Sequence, residues 1–133
     1  MQIDSGKPLI ANSADGLGIR CGSGPHDDIP LTLTDEVVPE TGGMSVAPEW
    51  RALPDYRIPR RLREKHPSAA GKNTTACWRM GVGSFTEEAV SDGLYLRIDS
   101  KTHGLVEPSS RMLLPTYLEK LAFTADQWMI DED

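Results

Sequence analysis

The stretch Pro39-Glu40-Thr41-Gly42-Gly43-Met44-Ser45-Val46 is where this chain gathers residue types able to do chemistry. Two adjacent glycines open backbone angles closed to other residues and let a ligand approach the main chain. Thr41, Ser45 and the N–H groups around them are donors suited to an anionic or amide-bearing ligand. The plainer alternative is a tight turn between two strands. A second segment, Thr102-His103-Gly104-Leu105-Val106-Glu107-Pro108, lies far downstream and runs on to Met112 and an amphipathic stretch. Glu107 follows two apolar residues and precedes a proline that fixes the turn, so it is a candidate carboxylate or a solvated strand-end acid. His103 is a candidate hydrogen-bonding group or a structural residue of a hairpin. His26-Asp27-Asp28 suggests a metal, but three adjacent residues on a regular strand cannot all face one ion, and no partner cluster accompanies them. No metal site is expected.

Taken together, the two segments resemble the bacterial type VI-secreted cytotoxic effectors with an ADP-ribosyltransferase-like fold, over roughly residues 36 to 128. That family carries a proline-acidic-Thr-Gly-Gly-x-Ser-Val turn. It follows this with a Thr-His or Gly-His strand leading to a proline, a methionine and a terminal helix. The resemblance implies an enzyme that uses NAD as substrate, cleaving the bond between nicotinamide and ribose by ADP-ribosyl transfer or simple hydrolysis. Such chemistry needs an arginine whose planar fork grips pyrophosphate, a serine on a rigid strand, and a carboxylate near the oxocarbenium-like ribose. The resemblance assigns these roles to Arg20, Ser45 and Glu107. Thr41, Gly42, Gly43 and His103 help to bind the dinucleotide. Arg20 equally suits a surface position on an edge strand. A cognate immunity protein or antitoxin is the implied partner.

Composition bounds these readings. The chain has 133 residues, a formal net charge of −6, 38% hydrophobic and 6% aromatic residues, 12 glycines and 10 prolines. That describes one loop-rich domain, 1–133, with a modest core and a loose lead-in over residues 1–16. The negative charge argues against nucleic-acid or anionic-membrane binding, and no apolar run reaches the ~20 residues needed to span a bilayer. The first residues lack the basic head and apolar middle of a cleavable signal. A cytoplasmic protein, or an effector exported without a signal into a target cell's cytoplasm, is therefore expected. Cys21 and Cys77 show no metal spacing and are expected to be free thiols.

The elements that must position the candidates are short. Residues 17–21 read as a strand carrying Arg20 mid-way and ending at Gly22-Ser23-Gly24-Pro25. Residues 31–38 read as a second strand or extended loop. Residues 47–72 hold four prolines and seven Arg or Lys, with no apolar period, and are expected to be irregular with one helical turn over 59–64. Their basic block, Arg57 to Lys72, suits a cofactor pyrophosphate, a nucleic acid or plain solvent. Residues 75–80 read as a strand, and 85–89 as a short helix capped by Ser84. Leu94, Leu96 and Ile98 alternate with Tyr95 and Arg97, predicting a strand whose hairpin partner is residues 103–107. Leu114, Tyr117, Leu118, Leu121, Ala125 and Trp128 fall on one helical stripe, predicting a helix over 115–128 that opens on Pro115.

The expected fold is α+β: an ADP-ribosyltransferase-like split, mainly antiparallel sheet with a C-terminal helix and long irregular loops. Beside the NAD-directed toxin stand two alternatives, a non-catalytic interaction module of the same fold and a small acidic immunity or antitoxin-type protein.

Overall fold

A computed structural model describes residues 1, 3–4, 6–9, 19–22, 27–81 and 85–133 of the chain. The first strands are β1 (Ile3–Asp4), β2 (Lys7–Pro8), β3 (Cys21–Gly22), β4 (Ile29–Pro30), β5 (Glu36–Val37) and β6 (Met44–Val46). After three single 3-10 turns come β7 (Trp78–Met80), β8 (Glu88–Ser91), β9 (Leu94–Ser100), β10 (His103–Pro108) and β11 (Met112–Leu113). The helix α1 (Leu114–Phe123) and β12 (Trp128–Ile130) complete the order. This is a mixed α+β architecture with mostly antiparallel pairing and one α-helix among the described residues.

The central sheet has four antiparallel strands in the order β6-β10-β9-β8. Four two-stranded ladders surround it: β1-β2, β5-β11, β7-β12 and the parallel pair β3-β4. The predicted alternation in β9 holds: Leu94 and Leu96 are buried, Tyr95 and Arg97 half-buried. Met44, Leu94, Leu96 and Val106 form one face of the sheet and pack with Tyr117 and Leu121 of α1, together with Ile19, Ile29 and Val37. The buried Tyr117 hydroxyl donates to the Val106 carbonyl oxygen at 2.7 Å, which ties the helix to the middle strand. Burial pushes that hydroxyl's pKa upward.

Three expectations need correcting. Residues 85–89 are not a helix: Phe85 lies partly buried against the core, and Glu88–Ser91 pair with β9. The turn between them is Asp92-Gly93, with Gly93 at φ +76, and this short Asp-Gly connection enforces a hairpin. Ser84, the expected cap, lies outside the described residues. The helix also stops early, at Phe123. Thr124 turns its hydroxyl onto the Leu121 carbonyl at 2.6 Å and accepts the Trp128 indole N–H at 2.9 Å. A 3-10 turn follows over Ala125–Gln127, so Trp128 meets the expected core from strand β12 rather than from the helix. Finally, Arg20 does not sit within a strand; it immediately precedes the two-residue β3. Residues 10–18 and 23–26, with most of the expected lead-in, the start of that expected strand, its Gly-Pro breaker and His26, lie outside the described residues.

Residues 47–72 build a second apolar cluster of their own. The 3-10 turns Trp50–Ala52, Asp55–Arg57 and Arg60–Leu62 place Trp50, Ile58 and Leu62 against Ala69 and Cys77. Main-chain bonds Ala70 N–H to Asp55 O (2.9 Å) and Gly71 N–H to Ile58 O (2.8 Å) close the segment on itself. The turn foreseen over 59–64 is the third of these.

Leu121 is 0% exposed in the main cluster, so Leu121→Ala should cost about 2–5 kcal/mol in urea unfolding. An unchanged midpoint would refute the packing of α1. Burial, the largest cause, pushes the thiols of Cys21 and Cys77 up from 9.0 to about 11. The folded state therefore holds these protons more tightly than the unfolded chain. Their contribution to stability is full below pH ~9 and is lost as pH rises toward ~11. Iodoacetamide at pH 8 should modify both thiols far more slowly in the native protein than in urea, and fast native labelling of Cys77 would contradict this.

Candidate functional site

The two segments singled out in the sequence are neighbours in the sheet. β6 pairs with β10 in the register Gly104–Val46, Leu105–Ser45 and Val106–Met44. On the other side of β10, Leu105 faces Arg97 and Glu107 faces Tyr95 in β9. Residues directly opposite share a face, and alternate residues on a strand share a face. Ser45, Leu105, Arg97, Tyr95 and Glu107 therefore lie together on the face turned away from α1. Asp99 follows Arg97 by two residues, and its Oδ1 lies 2.7 Å from Nδ1 of His103, which brings His103 to the same face.

Glu107 is the centre of this arrangement. Only 3% exposed, its carboxylate accepts two bonds from Arg97: Nη2 to Oε1 at 2.7 Å and Nε to Oε2 at 3.1 Å. The Glu40 N–H donates to Oε2 at 3.0 Å. A buried carboxylate is tolerated only when charge and hydrogen bonds compensate its desolvation, and here both oxygens are served. Arg97 in turn has Glu40 Oε1 at 3.3 Å from Nη2. Bonding to Glu107 holds the guanidinium pKa above its ordinary value. Its Nη1 has no bond to a described residue. Arg97 escaped the sequence reading as a site residue. Alternation placed it on the outer face, but its partner is fixed by strand register.

The Gly-Gly turn is shaped by backbone packing. Gly42 has φ +151, and a Cβ there would lie 2.1 Å from the Asp28 carbonyl oxygen; one on Gly43 would lie 2.6 Å from the Val106 oxygen. The space freed by the glycines is taken by main chain rather than left for a ligand. Glu40 also adopts a left-handed conformation, φ +67, which costs energy for a side-chain-bearing residue. Thr41 is exposed and its hydroxyl closes on Val38 O at 2.7 Å. Ser45 is exposed on its strand.

Arg20 takes a different place. It is exposed, and its main chain clasps Asp28: its N–H donates to Asp28 Oδ2 at 2.8 Å, and its carbonyl accepts the Asp28 N–H at 2.8 Å. The Asp28 carbonyl then accepts the Gly43 N–H at 3.2 Å. Arg20 thus adjoins the glycine turn through Asp28. The ion pair with Glu107 belongs to Arg97.

If the Arg97–Glu107 pair is a staple, Arg97→Met and Glu107→Leu should each lower the urea midpoint, and the double variant should lose less than the two losses added. Strict additivity would show that the pair is not coupled. Compared with protein-family models, curated proteins and solved structures, the chain matches none.

Proposed function

We propose that the chain is a toxin-type effector domain that acts on NAD in the cytoplasm of a target cell and is neutralised by a cognate immunity protein. The observation that supports this best is the convergence of Ser45, Arg97 and Glu107, from three adjacent strands, on one face of the sheet. In this reading Arg97, rather than Arg20, supplies the cation for the dinucleotide's pyrophosphate, using the Nη1 edge that Glu107 leaves open. Ser45 orients the nicotinamide ribose from the neighbouring strand. Glu107, oriented by its two bonds from Arg97, stabilises positive charge developing on the ribose. His103 contributes a hydrogen bond at the far end of the same face. Arg20, Thr41, Gly42 and Gly43 keep their assigned dinucleotide contacts only if the ligand extends past the turn toward Asp28.

A second reading has its own support. Both Glu107 oxygens are engaged and the group is almost fully covered, which suits a structural staple in a non-catalytic interaction module of ADP-ribosyltransferase type.

Purified protein incubated with NAD should release nicotinamide. Ser45→Ala and Arg97→Lys should slow this at least about tenfold, the factor for one lost transition-state contact of ~1.4 kcal/mol, and leave the thermal midpoint nearly unmoved for Ser45→Ala. Expression in bacterial cytoplasm should arrest growth, with rescue by the same substitutions. No nicotinamide release and no arrest by the unaltered chain would overturn the enzymatic reading in favour of the interaction module. Full activity in Arg97→Lys with loss in Arg20→Ala would return the arginine role to Arg20.

A further inference from the structure

The basic block is largely exposed, but Arg61 and Lys65 within it are not left to solvent alone. Together with Arg51 they hold the chain's own acidic segment, residues 131–133. Arg61 grips Glu132 with both guanidinium arms, Nη1 to Oε1 at 2.9 Å and Nη2 to Oε2 at 2.6 Å, and Nη2 also donates to Thr75 O at 3.0 Å. Two neighbouring cations also reach main-chain oxygens: Lys65 Nζ donates to Glu132 O at 2.8 Å and lies 3.9 Å from Asp133 Oδ1, and Arg51 Nη1 donates to Asp133 O at 3.3 Å. The Arg51 guanidinium lies over the Trp50 ring, 4.3 Å from its centroid. The Trp50 indole N–H is buried without a partner among the described residues. Asp131 N–H donates to Cys77 O at 2.9 Å, so the acidic segment continues β12 alongside the start of β7.

This platform recognises a peptide, not merely a charge. One bidentate site takes a carboxylate, two donors take the consecutive main-chain oxygens of Glu132 and Asp133, and a main-chain carbonyl takes a peptide N–H. A phosphate chain offers neither the peptide carbonyl nor the N–H. We propose that Arg51, Arg61 and Lys65, with the Cys77 carbonyl, form a docking site for an extended acidic segment of a partner protein, and that Asp131, Glu132 and Asp133 occupy it in the free chain. The intramolecular occupant is held by the partly exposed Arg61–Glu132 pair and the exposed Lys65–Asp133 pair, and surface pairs bind weakly one by one. It persists through its tether, which supplies an effective concentration on the order of millimolar. A partner segment with the same chemistry displaces it when its own domain adds further contacts. The proposal is independent of the NAD reading.

The test is fluorescence anisotropy with a labelled peptide of sequence Met-Ile-Asp-Glu-Asp, added to the full chain and to a Glu132→Gln/Asp133→Asn variant. The variant, whose occupant is weakened, should bind the peptide roughly 10- to 100-fold more tightly than the unaltered chain. Adding Arg61→Ala to it should abolish binding, and inorganic phosphate at equal concentration should not compete. Should the variant prove unfolded by circular dichroism, the unaltered chain serves. Millimolar peptide should then shift the NMR signals of the Arg51 and Arg61 side chains and the Trp50 indole, and a peptide with Gln and Asn for its acids should not. Equal affinity of the folded variant and the unaltered chain, or unmoved signals, would overturn the proposal. Competition by phosphate as effective as by peptide would overturn its peptide specificity.

Discussion

The carboxylate of Glu107 ties two paired strands to a turn that belongs to no ladder. It stands on the middle strand of the sheet, takes the guanidinium of Arg97 from one neighbouring strand, and takes the Glu40 N–H from the turn leading into the other. A four-stranded sheet with strands this short has few main-chain bonds to define its edges. The staple fixes where β6 enters, and the Asp28 carbonyl, bonded to Gly43 N–H, fixes the same turn from the opposite direction. Glycine at 42 and 43 follows from that double constraint, since a Cβ at either place would collide with a carbonyl oxygen. The polar staple and the glycine turn are one device seen from two sides.

Away from the sheet the chain relies on a different balance. The second apolar cluster is small, and its segment has only single 3-10 turns to order it. What secures it is reciprocity with the chain's other end: Met1 accepts the Ala76 N–H at 3.0 Å and the Trp78 indole N–H at 2.9 Å, while Glu132 clamps Arg61. His66, Ser68 and Asp55 close its outer side, with His66 Nε2 at 2.9 Å and Ser68 Oγ at 3.0 Å from the same Asp55 oxygen. These three resemble a catalytic set in composition only. Both partners meet His66 at Nε2, whereas a proton relay needs one on each ring nitrogen.

What was legible in the sequence was what period and turn chemistry determine locally. The alternation of Leu94, Leu96 and Ile98, the return strand through Val106, and the helix opening on Pro115 all follow from side-chain spacing. So did the third 3-10 turn after Pro59. The helix end was not legible, because it depends on Thr124 meeting Trp128, a side-chain contact that a stripe of apolar residues also suggests by continuing past it. The strand at Glu88 was misread because its few residues fit a helical turn equally well. The Asp92-Gly93 signal decided the matter. Of the site candidates, Ser45, His103 and Glu107 share a face because strand pairing brings their segments together. Arg97 was hidden, since its role rests on a diagonal across two strands. Arg20 lay in a stretch whose short pairing with Ile29 and Pro30 carries almost no periodic signal.

In the proposed reading, the staple and the ligand site draw on the same guanidinium, and its geometry allows both. Glu107 occupies the Nε–Nη2 edge, the one that matches a carboxylate side-on, and leaves Nη1 pointing elsewhere. Lysine could not divide itself in this way, because a single ammonium has no second edge fixed relative to the first. Glu40 adds a further condition. Its main chain serves the staple through the N–H while its exposed carboxylate approaches Arg97 from outside, at 3.3 Å. An anion arriving at Arg97 therefore meets a carboxylate that shares the cation but is not buried with it. Displacing that side chain requires no break in the bonds that hold Glu107, so in the proposed reading an arriving anion need not compete with the fold at this face. The left-handed backbone at Glu40 makes that separation possible, by turning the N–H inward to Glu107 while the side chain remains exposed.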